Sequence, residues 1–209
     1  MPLAFDATGK MIPPGKVIRT LEEPFMQGSM PSWLTVGSGT ASYGAQASTR
    51  GYLQMTTGAV SGNAAAIKTS FNINLADQKA ILWEVQGLVL DSAGPVQLAM
   101  GISASGSVGG FLKQDSADTT AFIAMAGSSA GVPYNLRTSG EATRRRNLGL
   151  MLIPATKEMY VFEDDQVMAY RKHTALNLGA VGCDLSVTTR EAAAHNFQVS
   201  KLKLTLFHD

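Results

Sequence analysis

A chain of 209 residues with 16% charged side chains and a formal net charge of +1 is sized for one all-β domain, with no charge excess to draw it to nucleic acid or an anionic membrane. Its single cysteine, Cys183, excludes an intrachain disulfide framework and reads as a small buried hydrophobe. No stretch nears the roughly 18 apolar residues of a membrane span, and MPLAFDATGKM lacks the basic start and apolar run of a signal peptide, so synthesis in a cytoplasm is expected.

Residues 1–20 read as an extended N-terminal arm, with a short strand near Leu3–Phe5. Pro13, Pro14 and Gly15 interrupt regular structure. Spaced apolar side chains, among them Leu3, Phe5, Ile12, Val17 and Ile18, are too few for a core of their own. Ordering each residue costs about 1–2 kcal/mol of backbone entropy, so these five are expected to dock on another chain. Residues 21–209 form the domain. Its first apolar cluster is Phe25, Met26, Trp33, Leu34 and Val36. A strand begins at Tyr52, and Ala64–Leu75 alternates through Ile67, Thr69, Phe71, Ile73 and Leu75.

The strongest signal is Ala80–Ser103, read as two long neighbouring strands joined by a short turn. Ile81, Trp83, Val85 and Val89 share one face, and Leu82, Glu84, Gln86, Leu88 and Leu90 the other. Val96, Leu98, Met100 and Ile102 continue the apolar face, so Gln97 is expected beside Glu84 and Gln86. Residues 104–119 carry turn chemistry and read as a loop anchored by Phe111 and Leu112. Short strands follow at Thr120–Ala126 and Tyr134–Arg137. Asn147–Arg171 reads as a three-stranded meander with a tight turn at Asp164-Asp165. Leu178–Val187 is a strand and Thr189–His195 a single helical turn. In the last strand, Asn196–Phe207, Phe197 and Val199 are odd-numbered whereas Leu202, Leu204 and Leu206 are even. One buried face therefore requires a phase shift near Ser200–Lys201, with Lys201, Lys203 and Thr205 toward solvent or a partner. The sum is an all-β antiparallel sandwich.

The Phe–Trp cluster, the GYL strand, the long WEVQGLVLD strand, the RNLGLMLIP–KEMYVFEDDQV hairpin and the final VSKLKLTLF strand together resemble the concanavalin A-like lectin/glucanase jelly roll. The resemblance covers about residues 21–209. It implies a fold shared by lectins, endoglucanases, polysaccharide lyases, adhesion modules and viral structural domains, and fold alone does not choose among them.

Retaining glycosidases need two carboxylates about 5–5.5 Å apart. Laminarinase-type members of the superfold place theirs on one strand as E-x-D-x-x-E. Here Glu84 stands on that strand, but Gln86 and then Leu88 follow it, so the expectation is no enzyme. Alginate-lyase-type strand motifs are absent too. His173, His195 and His208 lack zinc-ligand spacing, and Asp164-Asp165 is explained by turn preference, so no metal or cofactor is expected. Arg144, Arg145 and Arg146 read as a solvated loop, and no phosphate loop occurs. Glycan contacts, if made, are expected from Tyr43 and Tyr134 in Gly/Ser-rich loops and from Glu84 and Gln86 on the open sheet face. The leading expectation is a non-enzymatic virion structural protein of a bacteriophage, a capsid decoration or tail-associated subunit. It would be made in the host cytoplasm and assembled through its arm with itself or other virion proteins. The alternatives are a carbohydrate-binding lectin-like adhesion module, and a glycan hydrolase or lyase. No nucleic-acid or membrane partner is expected.

Overall fold

Period-two alternation dictates strands, and strands with one greasy face must stack in pairs of sheets. The computed structural model of the chain describes residues 4–5, 11–12, 16–46, 50–90, 96–104, 108–115, 120–125, 132–135, 146–172 and 179–208. Side chains are described at 17, 19–43, 51–89, 96–102, 147–170, 172 and 179–208. In chain order the strands are β1 (Ala4–Phe5), β2 (Met11–Ile12), β3 (Lys16–Glu23), β4 (Leu34–Ser38), β5 (Thr40–Gln46), β6 (Arg50–Thr56), β7 (Ala64–Thr69) and β8 (Ile73–Asn74). After a 3-10 turn at Leu75–Asp77 come β9 (Ala80–Leu90), β10 (Val96–Ala104), β11 (Val108–Asp115), β12 (Thr120–Met125) and β13 (Val132–Asn135). The last are β14 (Arg146–Ile153), β15 (Glu158–Glu163), β16 (Gln166–Lys172), β17 (Ala180–Thr189), β18 (Asn196–Val199) and β19 (Lys201–His208).

Two antiparallel sheets form the sandwich. The smaller runs β13-β12-β11-β10-β17-β7-β4, with β8 also paired to β17. The larger runs β16-β15-β14-β9-β18-β6-β5, with β19 continuing β18 between β9 and β3. β1 and β2 pair with each other. Trp83, Val85, Leu150, Val161, Leu202 and Leu204 of the larger sheet meet Leu98, Met100, Cys183, Leu185 and Ile67 of the smaller in one core. The Trp83 indole N–H crosses that core to donate to the Asp184 carbonyl at 3.1 Å, and Trp33 meets Trp83 edge-on with centroids 6.4 Å apart.

The phase shift near Ser200 is present, and it has a counterpart. Phe197 and Val199 are buried before Ser200, and Leu202 and Leu204 after it. Opposite, Gly87 on β9 has φ +65°, and a Cβ there would lie 2.5 Å from Ser200 Oγ. The Ser200 N–H donates to the Gln86 carbonyl. β9 therefore changes phase as well. Leu88, expected on the face of Glu84, is fully buried in the core. Asp164 and Asp165 both take positive φ, 49° and 64°, as a tight two-residue hairpin turn requires.

Three readings are corrected. β9 and β10 are not paired neighbours: the chain changes sheet between them, which puts Gln97 on the opposite side of the sandwich from Glu84. Val108–Asp115 is a strand, because β10 and β12 flank it on both sides and supply the ladder that its glycines do not favour. Residues 190–193 form bends, and 194–195 run without regular structure, rather than a helical turn. Their shape is set by Thr189 Oγ1, which donates to the carbonyls of Glu191 and Ala193. β3 crosses the boundary drawn between residues 20 and 21, and pairs with β19 from Glu23 down to Lys16.

Candidate functional site

The outer face of the larger sheet carries the even residues of β9 before its phase shift. Register assembles three rows there. In one, Thr20 of β3, Thr205 of β19, Leu82 of β9 and Met151 of β14 stand side by side. In the next stand Glu22, Lys203, Glu84, Gly149 and Phe162. The third pairs Lys201 with Gln86.

These rows floor a cleft of about 590 Å³, bounded by Val17 and Thr20 on one side and by Asn147, Phe162 and Asp165 on the other. That volume lies in the range of small-molecule sites. The floor is half apolar, with Leu82, Phe162 and Phe207 joining a cluster around Met151 and Tyr160. Its polar half is concentrated on β9 and β19. Lys203 Nζ lies 2.9 Å from Glu84 Oε2, and the Glu84 side chain is 15% exposed. The pair is not aligned as a hydrogen bond, and Glu84 Oε2 accepts none among the described residues. Thr205 Oγ1, also buried, is likewise without a hydrogen-bond partner among the described residues. Buried polar atoms in native structures are nearly always paired; Glu84 Oε2 has the Lys203 ammonium beside it, whereas Thr205 Oγ1 has no hydrogen-bond partner among the described residues.

Two features shape the walls. Gly149 stands between Glu84 and Phe162. A Cβ there would touch Phe162 Cβ at 3.4 Å and Glu84 Cγ at 3.8 Å, so the bare glycine keeps the space beside the carboxylate open. Asn147 ties one end of the cleft together. Its Oδ1 accepts from the Gly87 N–H at 3.0 Å and its Nδ2 donates to Asp164 Oδ1 at 3.2 Å. That second bond holds the turn that carries Asp165. Lys201 and Glu22 form an ion pair of 2.9 Å at the open edge.

The residues named from sequence separate. Glu84 and Gln86 line the cleft. Tyr43 lies on β5 and packs against the main core; burial, and after it the charge of Glu23, push its phenol above the ordinary value. Tyr134 lies on β13, at the edge of the other sheet, with its side chain outside the described residues. Of the docking set, Val17 is 47% exposed and lines the cleft. Phe5, Ile12 and Ile18 lie on β1, β2 and β3, with side chains outside the described residues, as is Leu3 altogether. Among the described residues no group of three or more His, Cys, Asp and Glu is placed to hold a metal. Sequence reasoning missed Phe162, Asn147, Asp165 and Thr20. It placed Lys203 and Thr205 on an outward face, but lacked the register that sets them beside Glu84 and Leu82.

No protein-family model matches the sequence, and no curated protein matches it either. Solved structures do match the fold. The Emp47p carbohydrate recognition domain superposes with a TM-score of 0.62 at 10% identity, covering 98% of this chain and 99% of that one. The Crh5 transglycosylase gives 0.64 at 11% identity, covering 98% and 91%. A Bacteroides ovatus glycoside hydrolase family 16 endo-glucanase gives 0.60 at 10%, covering 88% and 99%. The fold is therefore the concanavalin A-like lectin/glucanase jelly roll. These neighbours carry no virion context. They also correct the expectation that the chain is not an enzyme, because hydrolases and a transglycosylase stand among its structural relatives. The physical reason is that a missing E-x-D-x-x-E on one strand does not empty the cleft of carboxylates. Asp165 reaches it from the β15–β16 turn.

Proposed function

We propose that the chain binds a carbohydrate in the cleft on the outer face of its larger sheet. The observation that carries this reading is the cleft itself, in which the Glu84–Lys203 ion pair and the Thr205 hydroxyl stand beside an apolar floor. A pyranose has the complementary surface: C–H faces for Leu82, Phe162 and Phe207, and hydroxyl rims that donate to a carboxylate and exchange hydrogen bonds with a threonine. The structural likeness to a carbohydrate recognition domain supports the same ligand class. The test is a glycan array followed by titration calorimetry of the best binder. Binding by wild type that falls at least about tenfold in Glu84→Gln, the scale of a lost charge-assisted hydrogen bond, is expected. An array with no binder, or binding indifferent to Glu84→Gln and Thr205→Val, would refute the reading.

Cleavage or transfer of the bound glycan is the second reading, favoured by Glu84 on the floor and Asp165 on the wall of one cleft. Carboxyl separations of about 5–5.5 Å serve retention and about 6.5–9.5 Å inversion. Mass spectrometry of the array binder after incubation tests it. New chain lengths that vanish in Glu84→Gln would establish it, and an unchanged oligosaccharide would leave binding alone.

A further inference from the structure

The charged residues that line the cleft are Glu84, Lys203 and Asp165. Lys203 Nζ stands 2.9 Å from Glu84 Oε2, so those two charges cancel. The Asp165 side chain is exposed and makes no hydrogen bond or ion pair among the described residues. Two carboxylates against one ammonium leave the described lining of the cleft with a negative charge in excess, and that charge sits on Asp165.

The turn that presents this carboxylate suits it poorly. Asp164 and Asp165 have φ of 49° and 64°. Two-residue hairpin turns with positive φ at both positions favour Asn-Gly or Asp-Gly, because a left-handed backbone brings Cβ too close to the following carbonyl. Asp164 fits the first position, and its polar groups serve the turn. Its N–H donates to the Asn147 carbonyl at 3.0 Å, and its Oδ1 accepts from Asn147 Nδ2 at 3.2 Å. Asp165 stands where glycine would fit better, and its carboxylate bonds to nothing in the turn among the described residues. The two bonds to Asn147 tie the turn to β14, so the carboxylate is presented from a fixed place on the wall of the cleft. Left-handed residues other than glycine cluster at ligand sites, where a side chain is kept in spite of its conformational cost.

We propose that Asp165 makes the cleft selective for a cationic amino sugar, a glycan whose ring carries a protonated amine in place of one hydroxyl, with the ammonium on the Asp165 carboxylate. The proposal rests on the carbohydrate reading of the cleft and names the sugar class. An ammonium balances the excess charge and makes a charge-assisted hydrogen bond, roughly twice as strong as a neutral one. Holding the turn before binding removes part of the ordering cost. An N-acetylated sugar replaces the cation with a neutral amide and forgoes that contact.

The experiment is calorimetry at mildly acidic pH, where the sugar amine is protonated. Glucosamine oligosaccharides and N-acetylglucosamine oligosaccharides of equal length are titrated into wild type, Asp165→Asn and Asp165→Gly. Wild type is expected to bind the amine at least about tenfold more tightly, the scale of a charged hydrogen bond, and added salt should shrink that ratio. Asp165→Asn keeps a residue that tolerates positive φ, and should bring the two affinities within about twofold of each other. Asp165→Gly should lose the preference likewise while raising Tm by about 2–4 °C. No preference in wild type, or a preference that survives in Asp165→Asn, would overturn the proposal. So would a fall in Tm in Asp165→Gly, because the turn would then have its own use for the side chain. Binding of neutral glucose oligosaccharides but of no amino sugar would overturn it while leaving the cleft reading standing. A wild type that binds no glycan would overturn both.

Discussion

Replacing Thr205 with valine should give a more stable protein that binds glycan less well. The two side chains have the same shape, both are β-branched, and both suit a strand. Only the hydroxyl differs. It is buried, in a residue 4% exposed, and has no hydrogen-bond partner among the described residues. An orphaned buried hydroxyl costs about 1–3 kcal/mol, and Thr205→Val removes that cost. For a domain of this size each kcal/mol moves Tm by about 2–4 °C, so a rise of roughly 2–12 °C is expected by scanning calorimetry. The same change deletes a hydrogen bond to ligand worth about 0.5–1.5 kcal/mol net, which weakens binding about two- to tenfold. The opposite signs are the point of the experiment. A fall in Tm would mean that ordered water already satisfies the hydroxyl, and would remove Thr205 from the observations on which the cleft assignment stands.

Gly87→Ala should lower the urea midpoint with an unchanged m-value. A residue at φ +65° pays about 1–2 kcal/mol without glycine's freedom, and the new Cβ would also press on Ser200 Oγ. Adding Ser200→Gly should recover the steric part alone, and complete recovery would show that φ is not the constraint. Cys183 should react with thiol reagents only at the rate of unfolding, and fast labelling of native protein would contradict its place in the core. Burial, and after it the charge of Asp184, push its thiol far above the ordinary value of 9.0. The folded state then holds a proton that the unfolded state gives up. Its contribution to stability is therefore complete below about pH 9 and declines as pH rises above it. Urea midpoints of wild type should fall more steeply than those of Cys183→Ala across that window, and parallel curves would sink the argument.

Alternation made much of the sandwich legible. Trp83, Val85, Leu98, Met100, Leu150 and Val161 are all in the core. The odd-to-even switch between Val199 and Leu202 announced a phase shift that the structure places at Ser200. Parity, however, reports which side of a strand a residue is on, not which strand lies beside it. For that reason β9 and β10 read as a hairpin although they belong to different sheets. For the same reason Glu84 could be seen on an open face while Lys203, 119 positions later, could not be seen next to it. Tyr43 and Tyr134 were favoured because glycine and serine surround them, yet both lie on strands, and Tyr43 packs against the core. Glu158 and Tyr170 sit twelve residues apart on opposite arms of a hairpin. The meander was legible, but its exact register, interrupted by an irregularity between Val161 and Phe162, was not.

The most direct measurement of the central claim is an amide NMR titration of the protein with the best binder from the glycan array. If carbohydrate occupies the cleft, the largest shift changes will fall on β9 around Glu84, on β14 around Gly149 and on β19 around Thr205, with the amides of β5 and β13 unmoved. Shifts that cluster instead around Tyr43 on β5 or Tyr134 on β13, or no shifts at saturating oligosaccharide, would contradict the assignment.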